Sequence, residues 1–248
     1  MSALMMPGRA EHELVAAPRL VAATTVVVAA LTAGVFAAVG DQGALTSIQR
    51  LDDSWLRLMI SGRAPPLTGI AEALNVLGLV YVTLPVRIAV AGFLALRRRW
   101  WHLAAFAAAI GLSEVLIGAL KGIYDRPRPP ASLVATSGAA FPSGHAIAAS
   151  VTVVAAVFAL VPAGRRRCWC AVAAVVFSIL MGLSRAYLGA HWLSDAVAGV
   201  LLGTSCALVA TLLTGALQRR RGRRQPRTPA AQQPVRTAAP DQVERGPV

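Results

Sequence analysis

Residues 20–39 read LVAATTVVVAALTAGVFAAV, twenty positions without one charged side chain. Coiled as a helix at ~1.5 Å per residue, such a run spans about 30 Å, the thickness of the hydrocarbon core of a bilayer. Five more apolar runs follow, at 77–96, 103–122, 145–161, 169–182 and 196–217. The pattern predicts an all-α fold, a bundle of six transmembrane helices. Composition agrees with it: 56% of the 248 residues are hydrophobic and 14% are charged, where a soluble domain carries about 25% charged residues. A single soluble core cannot bury that much apolar surface. Disorder is excluded for most of the chain, because disordered segments are poor in apolar residues.

Charge adds an orientation. The formal net charge is +13, and Lys121 is the sole lysine among 24 basic residues. Such a balance can mark a nucleic-acid partner, but the arginines fall where a membrane protein needs them. Arg97-Arg98-Arg99 follows the second run, Arg165-Arg166-Arg167 the fourth and Arg219-Arg220-Arg221 the sixth, while Arg9 and Arg19 precede the first. Six alternating spans put all of these on one side, which the positive-inside rule makes cytoplasmic. The reading is therefore a multi-pass protein of the cell membrane with both termini inside, and no nucleic-acid partner is required. Residues 1–18 form a cytoplasmic arm, 19–218 the membrane domain, and 219–248, rich in Arg, Pro, Ala and Gln, a disordered tail. Segment 41–66 mixes apolar and charged residues and reads as an amphipathic helix along the outer interface. Cys168, Cys170 and Cys206 are an odd number without a disulfide framework. Cys168-Trp169-Cys170 lacks the companions a metal site needs.

Polar residues at the outer ends of spans are not needed for insertion, and three clusters of them occur there. The first closes the third run with Lys121 and Arg126-Pro127-Arg128-Pro129. The second, Pro142-Ser143-Gly144-His145, opens the fourth. The third joins the fifth and sixth runs with Ser184-Arg185, His191 and Asp195. One helical hairpin separates the second cluster from the third, and one short loop separates the first from the second. All three are thus expected at a single extracytoplasmic face.

Lys121, Arg128 and Arg185 bring together charges whose repulsion an anion offsets. Arginine forks match phosphate oxygens in pairs, and lysine supplies a point charge. Ser143 and Gly144 precede a helix whose free N–H groups favour an anion. His191 and Asp195 stand at i, i+4, so the carboxylate can orient the imidazole and leave its other nitrogen as a nucleophile. His145 is the second titrating group, able to protonate a leaving oxygen and later take a proton from water. No carboxylate cluster accompanies these motifs, so neither a metal nor another cofactor is expected, and charge stabilisation falls to the fixed cations.

The spacings Lys121-x6-Arg128-Pro129, Pro142-Ser143-Gly144-His145 and Ser184-Arg185-x5-His191-x3-Asp195 together resemble the type-2 phosphatidic acid phosphatase superfamily. The resemblance implies a membrane phosphatase in which His191 forms a phosphohistidine, Asp195 orients it and His145 is the general acid. Lys121, Arg128, Ser143, Gly144 and Arg185 would bind the phosphate, without metal. The implied substrate is a lipid phosphate or diphosphate, of the phosphatidic acid, phosphatidylglycerol phosphate or undecaprenyl diphosphate type. A lipid phosphotransferase would use the same site. A non-catalytic transporter or scaffold is the competing class, and the intact His145, His191 and Asp195 argue against it. Soluble haloperoxidases share the pocket pattern but not six spans.

Other polar residues have lesser roles. Arg126 is divided between interfacial anchor and support for the site, with Asp125 as its expected partner, and Ser184 is a supporting candidate. Arg87 and Glu114 fall inside spans, where ionised groups are normally paired, and a contact between them is expected. Glu114 also lies two turns before Lys121 and could tune it. His12 and His102 lie on the cytoplasmic side as solvent or headgroup residues.

Overall fold

The computed structural model describes residues 13–224, and among them there are eight α-helices and no strand. In chain order they are α1 (Pro18–Gly40), α2 (Gln42–Ser61), α3 (Pro65–Leu77), α4 (Val80–Leu96), α5 (Trp100–Tyr124), α6 (Gly144–Leu160), α7 (Arg165–Tyr187) and α8 (Leu193–Arg224). Helices α1, α5, α7 and α8 are long and apolar enough to cross a membrane singly. Helices α3 and α4 do so as a pair bent by 52°. The sequence suggested six comparable spans, and α6 departs from that with only 17 residues. It is enclosed by α4, α5, α7 and α8, so its length answers to its neighbours rather than to lipid.

Small residues set how closely the central helices approach. A Cβ on Gly199 of α8 would stand 2.7 Å from the Ser143 carbonyl oxygen, and one on Gly203 would stand 2.6 Å from the Ile147 carbonyl oxygen. This Gly-x-x-x-Gly stripe lets the backbones of α6 and α8 nearly touch. Around the contact, Ile147, Val151 and Val154 of α6 pack with Leu202 and Cys206 of α8, Phe106 of α5 and Leu94 of α4. The tight seam brings the starts of α6 and α8 together, and Ser143 N donates to the Asp195 carbonyl at 3.1 Å.

Segment 41–66 was expected to hold one amphipathic helix, and α2 is an amphipathic helix over residues 42–61. Helix α3 was not expected. It begins at Pro65-Pro66, which fit the first turn because their missing N–H groups would have no partner there. It ends at Gly78, after which Leu79 is extended and α4 turns away. Tyr187 at the end of α7 ties α3 down, its hydroxyl lying 3.0 Å from Thr68 Oγ1.

The arginine-rich ends gather at the opposite pole. Leu14 and Val15 are fully buried there against Ala105 and Trp101. Arg167 donates to the carbonyls of Leu14 and Val161 at 2.7 and 2.8 Å. The fifth run therefore begins earlier than expected, and α7 takes in Arg165-Arg166-Arg167 because the side chain of Arg167 folds inward onto backbone oxygens. His102, expected at a wetted surface, is wholly buried; His12 lies outside the described residues. Helix α8 continues to Arg224, past residue 219 where the tail was expected to begin, and the rest of that segment lies outside the described residues.

Candidate active site

Each cluster owes its place to a helix end. Helix α5 stops at Asp125, whose left-handed backbone (φ 33°) turns the chain outward, a conformation that Asp tolerates better than most residues. Phe141, fully buried against Tyr124 and Phe36 at ring-centroid distances of 4.7 and 4.8 Å, pins the returning loop so that Ser143 takes the position just before α6, its hydroxyl left free. After α7, Gly189 takes a positive φ of 69°. A Cβ there would also stand 2.6 Å from the Ala131 carbonyl oxygen, so this turn requires glycine. The turn lets the Arg185 carbonyl accept from Ala190 N and His191 N at 3.1 and 3.3 Å.

His191 and Asp195 sit at the beginning of α8, both buried. Asp195 is the third residue of the helix, and its Oδ2 accepts from Trp192 N at 2.9 Å, the reach-back half of a capping box. The same oxygen lies 3.6 Å from His191 Nδ1. On the other side of the ring, Arg128 Nη1 stands 3.2 Å from Nε2. A guanidinium only donates, so Nε2 is the acceptor in this contact, while Nδ1 faces the carboxylate without a hydrogen bond to it. Burial holds the His191 imidazole below its ordinary value; Asp195 opposes this, and Arg128 and Arg185 add to it. Burial also lowers Arg128, against the pull of Asp195.

The cations converge around that ring. Arg128 donates to the carbonyls of Gly138, Ala190 and Ser137 at 2.8, 2.7 and 2.8 Å. Lys121 Nζ donates to the Ala139 carbonyl at 2.7 Å, an oxygen that Arg128 also reaches at 3.3 Å. Arg185 is 2% exposed. His145 lies within electrostatic reach of Arg185, His191, Arg128 and Lys121.

Several of these groups are buried with unused hydrogen-bonding capacity: Ser143 Oγ, His145 Nε2 and Arg185 Nε have no partner. Buried polar atoms without partners are costly in a protein interior. Gathered with two helix N-termini and three cations, they suit an anion that accepts hydrogen bonds. Beyond its chain neighbours and the backbone of its own helix, no protein atom lies within 4 Å of where a Cβ on Gly144 would stand, so the backbone there is open to a ligand. Among the described residues, no three His, Cys, Asp or Glu side chains are grouped to hold a metal ion.

Two expected members do not join. Ser184 turns its hydroxyl back onto the Met181 carbonyl of its own helix at 2.7 Å. Glu114 is about 10 Å from Lys121 along the helix axis, given ~1.5 Å per residue, and its Oε1 accepts from Arg87 Nη1 at 2.7 Å. The anticipated Arg87–Glu114 contact is present. Arg126 has other partners than Asp125: Asp195 Oδ1 and Ser194 Oγ, both at 2.7 Å, and Asp52 Oδ2 and Gln49 Oε1 at 2.8 and 2.7 Å.

Three contributors escaped the sequence reading, all from α2 or the end of α3. Asp52 is 1% exposed and binds Arg126 and Ser194. Asn75 Oδ1 accepts a short hydrogen bond from Arg185 Nη1. A Cβ on Gly78 would stand 2.5 Å from His145 Cδ2, so the end of α3 forms a wall of the site. The available signal was an acid and an amide on the inner faces of helices that are otherwise largely exposed.

Residues 102–219 match the PAP2 superfamily. Phosphatidylglycerophosphatase B of Bacillus subtilis (strain 168) is 27% identical over 162 residues, covering 63% of this chain and 80% of that protein. The crystal structure of a transmembrane PAP2-type phosphatidylglycerolphosphate phosphatase from Bacillus subtilis aligns with a TM-score of 0.66 at 25% identity, over 79% of this chain and 96% of that one. The structure of Aquifex aeolicus LpxE aligns with a TM-score of 0.54 at 25% identity, over 64% of this chain and 94% of the other. The matched stretch runs from before Lys121 to beyond Asp195 and so takes in all three polar clusters: residues 102–219 of the chain belong to the PAP2 superfamily.

Proposed function

We propose that this protein is a lipid phosphate phosphatase that works through a phosphohistidine on His191, without a metal, on lipid held with its headgroup at the extracytoplasmic rim. The observation that carries the reading is the state of the His191 ring. Its Nδ1 side faces Asp195 at 3.6 Å and its Nε2 faces Arg128 at 3.2 Å, among cations and unpartnered donors.

In the first step Nε2 attacks phosphorus and the bond from phosphorus to the lipid oxygen breaks. Protonated His145 gives its proton to that oxygen, and the lipid alcohol leaves. In the second step water attacks phosphorus and loses a proton to His145. The P–N bond breaks, inorganic phosphate departs and the imidazole is restored. Lys121, Arg128 and Arg185 offset the charge on the equatorial oxygens, and Ser143 Oγ and the N–H groups at the start of α6 donate to them. Asp195 stabilises the imidazolium that forms during attack.

The substrate class is a phosphate or diphosphate monoester on a lipid, with phosphatidylglycerol phosphate, phosphatidic acid and undecaprenyl diphosphate as candidates. The names of the Bacillus relatives favour the first. The six-span reading counts α3 with α4 as one crossing and α6 as another. Both termini then lie in the cytoplasm of a plasma-membrane protein. The arginine-rich ends gathered at the pole opposite the site support it.

The test is phosphate release from a panel of these lipids in detergent with chelator present. The parent enzyme is expected to release phosphate under chelation, and His191→Ala to lose at least ~10³-fold in kcat. Release that needs added metal, or that survives in His191→Ala, overturns the reading.

A further inference from the structure

Helix α2 is amphipathic, and the buried residue on it is a carboxylate, Asp52. Each oxygen of that carboxylate is used. Oδ1 accepts from Ser194 N at 2.9 Å, and Oδ2 accepts from Ser194 Oγ at 2.6 Å and from Arg126 Nη2 at 2.8 Å. Arg126 is itself buried and stands between two acids, its Nη1 donating to Asp195 Oδ1 at 2.7 Å. Its guanidinium also lies over the Trp192 ring, 5.6 Å from the centroid.

Burying three ions beside a bilayer is costly, and removing one partner leaves a charge uncompensated. Docking an amphipathic helix requires no such arrangement, since an apolar face suffices. The chain of contacts has a direction instead. It runs from Asp52 through Arg126 to one oxygen of Asp195, and the other oxygen of Asp195 faces His191. With Oδ1 held by Arg126 and Oδ2 by Trp192 N, the carboxylate plane has no freedom to rotate. Asp52 also accepts from the second N–H of α8, a group that no turn of the helix can satisfy. It therefore fixes both the helix start and the carboxylate that the helix carries.

Resting on the reading of His191 as nucleophile, we propose that Asp52 is a positioning residue, which acts through Arg126 and Asp195 to keep the His191 ring in the tautomer that aims Nε2 at phosphorus. Partners that orient a reactive group from behind commonly contribute 10–100-fold to its activity. Asp52 is set to do so from a helix outside the catalytic motifs.

The full-length protein in detergent is assayed on dioctanoyl phosphatidic acid in mixed micelles. Asp52→Asn is expected to lower kcat about 10–100-fold with KM nearly unchanged, and Asp52→Glu to recover part of the loss. In an Asp195→Asn background the same Asp52→Asn change is expected to cost little, because the residue through which it acts is already disabled. A loss that adds in full to that of Asp195→Asn, or one confined to KM, overturns the proposal. If Asp52→Asn does not fold, Ser194→Ala, which removes one contact from Asp52 and one from Arg126, takes its place in the same cycle, with the same expectation of non-additivity. Nitrogen-15 NMR of the histidine side chains separates this proposal from the functional reading. The proton on Nδ1 of His191 is expected in the parent, and loss of that single tautomer in Asp52→Asn, whether or not the lipid is hydrolysed. An unchanged His191 tautomer in Asp52→Asn refutes the positioning role, whereas a parent enzyme that releases no phosphate refutes only the functional reading.

Discussion

Gly78 lacks a side chain because His145 needs the space. Its φ of −84° is open to any residue, but a Cβ would stand 2.5 Å from His145 Cδ2 and 3.2 Å from Met181 Sδ. Gly78→Ala is therefore expected to displace the imidazole and lower kcat about 10–100-fold, since misplacement by ~1 Å has that scale of cost. The protein should keep its melting temperature, and a parent-like kcat would show that the wall yields. The His191 ring makes a second prediction. Because burial holds it below the ordinary imidazole value and Asp195 opposes that, it stays neutral as pH falls through ~6.5. The acid limb of kcat/KM, corrected for a phosphate ionisation near pH ~6, should lie below that value. Asp195→Asn removes the opposing carboxylate, so it should move the limb lower still while reducing kcat; a limb above the ordinary value contradicts the assignment. His145, His191, Lys121, Arg128 and Arg185 were legible in the sequence because each motif fixes its members within a few positions of one another. Asp52, Asn75 and Gly78 were not, because their partners lie at least 67 positions away and no local spacing joins them.

At the scale of helices, the apolar runs at 20–39, 103–122, 169–182 and 196–217 each recur within one helix, and 77–96 recurs as α4 preceded by the end of α3, because continuous hydrophobicity reports burial in lipid directly. The break between α3 and α4 was hidden for the same reason. Both sides of Gly78 are apolar, so hydropathy runs through the bend, and Pro65-Pro66 was the only mark of the new start. The polar pair in mid-bundle was legible by cost: Arg87 at 13% and Glu114 at 54% side-chain exposure share a 2.7 Å contact that links α4 to α5, and Arg87 Nε donates to Thr152 Oγ1 of α6 at 2.9 Å. This contact joins helices without touching the reacting groups. Glu114→Gln leaves Arg87 without its counter-charge inside a span, so it should lower Tm measurably with kcat/KM unchanged. A selective loss of activity at full stability would instead return Glu114 to the site.

For the molecule as a whole, the proposed topology reads the net charge of +13 as sidedness rather than as the mark of a polyanionic partner. The site stands at one pole, and Arg167 and the buried arm at the other. The exposed Cys168 begins α7 at the arginine-rich pole. In intact cells an impermeant maleimide should spare Cys168 and label a cysteine placed at Ser137, beside Arg128; the reverse pattern would invert the proposed orientation. The pole-to-pole arrangement was legible from the arginine clusters, whereas the folding of Arg167 onto Leu14 was not, because a backbone acceptor leaves no mark in sequence. The central claim, that His191 receives the phosphoryl group, is tested most directly by rapid alkaline quenching during turnover of phosphorus-32-labelled lipid, followed by mapping of the labelled peptide. The account predicts acid-labile, base-stable label on residue 191, absent from His191→Ala. Label on any other residue, or turnover by His191→Ala at the parent rate, would contradict it.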